Sequence, residues 1–85
     1  MTKQELIEKI RKGTDIMFKI GEKGFTICDS MDSDDGKDIA PWGGNGAMVF
    51  PDAETLVNQF IIDGIPLGDL AQDVMITDYT LSGVA

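Results

Sequence analysis

Large branched or aromatic apolar residues recur at every second position from Ile16 to Ile20, with Ile16, Phe18 and Ile20 alternating with Asp15, Met17 and Lys19. A period of two marks a strand buried on one side only. Gly21-Glu22-Lys23-Gly24 then supplies turn chemistry, and Phe25-Thr26-Ile27-Cys28 resumes the pattern, so a β-hairpin is predicted. Its apolar face, with Phe18, Ile20, Phe25 and Ile27, requires a second layer to cover it.

Helices are the natural cover. Thr2 and Glu5 have the spacing of a capping box, in which the threonine hydroxyl and the glutamate carboxylate each take one orphan N–H. Leu6, Ile7 and Ile10 follow as an apolar stripe, with Lys9, Arg11 and Lys12 near the negative end of the helix dipole and Gly13 as a stop. A second helix is predicted after Pro51, capped by Asp52, with Leu56, Val57, Phe60 and Ile61 on one face and Asp63-Gly64 at its end. Ala47–Phe50 reads as a short strand, Asp69–Gln72 as a single helical turn, and Val74–Leu81 as the last strand. The expected fold is α+β, in the order α-β-β-β-α-β. Three to four strands in an antiparallel or mixed sheet pack against two helices, as one small domain over residues 1–85. Leu6, Ile10, Phe18, Ile20, Phe25, Ile27, Leu56, Phe60 and Ile76 are the expected core.

Residues 29–46 differ in kind. Asp29–Asp38 is polar and acidic, Trp42–Gly46 is rich in glycine, and Ile39-Ala40-Pro41 between them is too short to assign. A mobile loop is expected over 29–46, with its glycines at positive φ in turns, and such loops often carry function.

Fifteen acids against seven bases leave a net charge of −8. No base follows Lys37, so residues 1–37 carry −1 and residues 38–85 carry −7. This surface repels phosphates and anionic lipid, which argues against direct nucleic-acid or membrane binding. The first eight residues lack the basic and apolar regions of a secretory leader, and no apolar run approaches the roughly 18–20 residues of a membrane span. Cys28 has no second cysteine to pair with. A reducing, cytoplasmic location is therefore expected.

The catalytic repertoire is narrow. Histidine is absent, which removes the commonest general base and, with a single cysteine, the usual zinc ligands. Cys28 lacks an imidazole partner and reads as a small hydrophobe within a strand. Gly43-Gly44-Asn45-Gly46 lacks the endings of the phosphate-binding motifs. Aligning Gly36 with the invariant glycine of an EF-hand places Met31 at its first position and Trp42 at its twelfth, so the motif fails at both ends. Neither an enzyme nor a cofactor is expected.

A non-enzymatic interaction module fits better, presenting an acidic surface to a basic partner protein. Asp32, Asp34, Asp35 and Asp38 are the candidate contacts, with Trp42 as a candidate anchor because indole buries a large area. The simpler reading of Trp42 is that it folds back over the edge of the core. Two alternatives stand beside this reading. One is a looser calcium-type site drawn from Asp29, Asp32, Asp34, Asp35 and Asp38. The other is a mimic of DNA charge that inhibits a nucleic-acid-binding protein, although these acids are thinly spread beside the phosphates of a duplex.

Overall fold

A computed structural model describes residues 1–31, 34–44 and 46–81. Helix α1 spans Lys3–Lys12, and both bonds of its capping box form: Glu5 N–H donates to Thr2 Oγ1 at 3.1 Å and Thr2 N–H to Glu5 Oε1 at 2.9 Å. The chain turns at Gly13 directly into β1 (Gly13–Ile20), which pairs antiparallel with β2 (Lys23–Asp29). Phe18 lies opposite Phe25 and Ile16 opposite Ile27, so the predicted face is formed, and the rings of Phe18 and Phe25 stack at 5.4 Å.

The sheet is larger than the three to four strands expected. It has five antiparallel strands, in the order Met48–Phe50 (β4), Lys37–Pro41 (β3), β2, β1 and Met75–Leu81 (β7). The extra member is β3 (Lys37–Pro41), within the stretch predicted to be a mobile loop. Its pairing with β2 sets Asp38 opposite Cys28 and Ile39 opposite Ile27, and Ile39 is fully buried. Lys37 also points inward and is only 4% exposed. Its alkyl stem lies at the edge of the core while its ammonium is held by the Gly13 carbonyl and Asp29. Strand β4 (Met48–Phe50) forms the outer edge, and β7 (Met75–Leu81) pairs with β1 as the other edge.

Helix α2 spans Ala53–Gln59, capped by Asp52 as expected, and ends before Ile61. Asp63 and Gly64 both have left-handed φ, 52° and 84°. Two such residues make the tight turn that joins antiparallel strands, here β5 (Ile61–Ile62) and β6 (Ile65–Pro66). The Asp-Gly pair is thus a hairpin turn rather than a helix stop, and Ile61 is exposed. A 3-10 helix at Leu67–Asp73 replaces the single turn expected and makes a third helix.

The helices cover one face of the sheet. Leu6, Ile10, Leu56, Val57 and Leu67 meet Phe18, Phe25, Ile27 and Ile39 in one buried cluster. Ile20 and Ile76, expected in that core, are only partly buried against it. Tyr79 ties β7 to α1, its hydroxyl donating to the Lys9 carbonyl at 2.6 Å with the Lys9 ammonium 5.0 Å from its ring centre. No helix among the described residues is long and apolar enough to cross a membrane.

The opposite face is uncovered by any described helix. Strand register sorts its side chains into rows. One row runs Val49, Asp38, Cys28, Asp15, Thr80; the next Ala40, Thr26, Met17, Asp78; the last Trp42, Gly24, Lys19, Met75.

Candidate functional site

The acids singled out in the sequence fall on two sides of the sheet. Asp34 and Asp35, just before β3, line a cleft of about 310 Å3 together with Asp29 from the end of β2 and Asp52 and Glu54 from the start of α2. Its two cations, Arg11 and Lys37, are engaged within the fold. Arg11 pairs with Glu8. Lys37 Nζ donates to the Gly13 carbonyl at 2.8 Å and to Asp29. Asp52 accepts the Thr55 N–H at 2.7 Å. Its hydrogen bonds from Thr55, and to a smaller extent the charge of Arg11, hold its carboxyl below the usual carboxylate range. Asp52 therefore stays ionised even in mildly acid solution.

Asp38 belongs elsewhere. It projects from the uncovered face beside Cys28, and its Oδ1 is buried with no hydrogen-bond partner among the described residues. Cys28 is half-buried on that same face rather than in the core, and its S–H donates to Asp15 Oδ1 at 3.2 Å. Desolvation, then the bond to Asp15 and the charges of Asp15, Asp38 and Asp29, push the thiol up to about 11. A thiol so protonated at neutral pH is a poor nucleophile. Asp32 lies outside the described residues.

Trp42 follows β3, at the opposite end of that strand from Asp34 and Asp35. Its backbone N–H donates to the Gly24 carbonyl and its indole Nε1–H to Thr26 Oγ1, both at 2.9 Å. The ring lies flat over Gly24, where a β-carbon would stand 2.0 Å from Cε3. Only glycine permits so close an approach. The indole thus folds back on the sheet, yet it remains 44% exposed. Its outer edge lines a groove of about 520 Å3 with Pro41, Phe25, Phe60 and Ile61. An ion pair between Lys23 and Asp63, at 2.7 Å, stands at the rim. Gly43 and Gly46 have the positive φ expected of the glycine-rich turn, whereas Gly44 does not.

No protein-family model, curated protein or solved structure matches the chain.

The candidate residues therefore separate into the cleft (Asp34, Asp35) and the uncovered face (Asp38 and Trp42), where the indole also borders the groove. Among the described residues, no three His, Cys, Asp or Glu side chains converge so as to hold a metal ion. Asp52 and Glu54 join the cleft through the fold, and Asp15 and Asp78 join Asp38 through strand register. The helix-capping role of Asp52 was the only advance sign of the first grouping.

Proposed function

We propose that the chain is a non-enzymatic, cytoplasmic protein-interaction module that presents carboxylates to a basic partner protein. One observation carries the reading. The cleft gathers five carboxylates, Asp29, Asp34, Asp35, Asp52 and Glu54, against two cations, Arg11 and Lys37, each of which is paired within the fold. Its negative potential is left for an outside ligand. Opposite fields speed encounter, so association should slow as salt rises.

The test is a salt series on the complex with a partner captured from source cells, using wild type and an Asp34→Asn/Asp35→Asn variant. A steep fall in on-rate with salt is expected, together with about tenfold slower association of the variant at low salt. Dissociation should change little. An on-rate indifferent to both salt and variant would refute the proposal. A captured nucleic-acid-binding protein that is released by DNA would identify the module as a charge mimic.

A further inference from the structure

One face of the five-stranded sheet is left without a covering layer among the described residues. Five strands about 4.8 Å apart give it a width near 19 Å. Met17 is 40% exposed on it, and Val49 and Met75 more so. Ala40 and the half-exposed indole of Trp42 continue this apolar ground. Set into it are three carboxylates, Asp15, Asp38 and Asp78, against the single ammonium of Lys19. Among the described residues the buried Oδ1 of Asp38 has no donor, and a buried acceptor left unpaired is costly.

Resting on the acidic-module reading above, we infer that this face is a docking surface for a basic, amphipathic segment of a partner protein. Apolar side chains of the segment cover Met17, Ala40 and Trp42, and an arginine sits over Asp15 and Asp38. Arginine suits the position because its planar fork can serve two carboxylates while its flat faces lie on apolar neighbours. A second copy of the chain is the wrong occupant. It would bring another −8 and set carboxylates against carboxylates.

The sole tryptophan lies on this face, so its emission reports occupancy directly. Two probes are titrated in near-physiological salt: a short synthetic peptide of alternating arginine and leucine, and an arginine–glycine peptide of equal charge. The arginine–leucine peptide should change Trp42 emission and shift the amide resonances of Met17, Thr26 and Ala40, and it should bind at least about tenfold tighter than the control. Met17→Lys, which removes the apolar contact and opposes the peptide's charge at an exposed position, should abolish that response, while Asp69→Asn/Asp73→Asn, at exposed positions of the 3-10 helix, leaves it within about twofold. Three results would overturn the inference. Resonance changes confined to Asp34, Asp35, Asp52 and Glu54 with unmoved Trp42 emission leave the acidic-module reading standing and remove this face from it. Binding of neither peptide removes both. Self-association through Met17, seen by sedimentation and lost in Met17→Glu, gives the face to a second copy.

Discussion

Replacing Phe60 with alanine is expected to destabilise the fold by about 3–5 kcal/mol. Phe60 ends α2 and is buried, with its ring edge-on to Phe25 at 5.6 Å and to Phe50 at 6.4 Å. It joins the helix layer both to the centre of the sheet and to its short outer edge. A domain of this size has roughly 5–15 kcal/mol to lose, so the variant should lie near the unfolding threshold at room temperature. Ile61→Ala is the internal control, because Ile61 is exposed beyond the helix end and should cost no more than about 0.5 kcal/mol. Urea unfolding of both variants decides the matter. Equal losses would mean that α2 continues through Ile61.

Gly24→Val should expel the indole of Trp42 from the sheet. Glycine at position 24 lacks the positive φ that would strain a side chain, so the effect comes from the ring alone. Overpacking of this kind costs about 1–3 kcal/mol. The bond to Thr26 Oγ1 is lost with it, and the emission of the displaced indole should move to longer wavelength. Thr26→Val removes the acceptor and keeps the shape, so its cost should stay near 1 kcal/mol with a much smaller spectral change. Emission in Gly24→Val indistinguishable from wild type would show that the ring does not lie there.

Local signals carried the first helix and the hairpin because every group that decides them is close in sequence. Thr2 and Glu5 cap within one turn, Asp52 takes the Thr55 N–H three residues on, and Phe18 faces Phe25 across a tight turn. Strand β3 was hidden for the opposite reason. Lys37-Asp38-Ile39-Ala40-Pro41 has one large apolar residue, and its first member points inward only because Gly13 and Asp29 receive its ammonium. No window around Lys37 contains Gly13. Ile61 was misread because it continues the helical spacing of Leu56, Val57 and Phe60, while the turn made by Asp63 and Gly64 sets it in a strand. The site suffered the same limit. Acidity was legible from composition, but which acids share a surface depends on register. Asp34 and Asp38 are four residues apart and serve different sides of the sheet.

Strand β1 lies between a neighbour made almost at once and one made last. Its partner β2 follows across a two-residue turn, whereas Met75 pairs with Lys19 across most of the chain. During synthesis, one side of β1 therefore stays open until β7 leaves the ribosome tunnel, and Tyr79 cannot clasp α1 before then. Nascent chains arrested before Met75 should expose Ile16 and Phe18 to protease and to chaperone, while chains tethered through a linker added after Ala85, long enough for β7 to clear the tunnel, should resist both. Equal resistance at the two lengths would show that the helices and the first four strands close the core unaided.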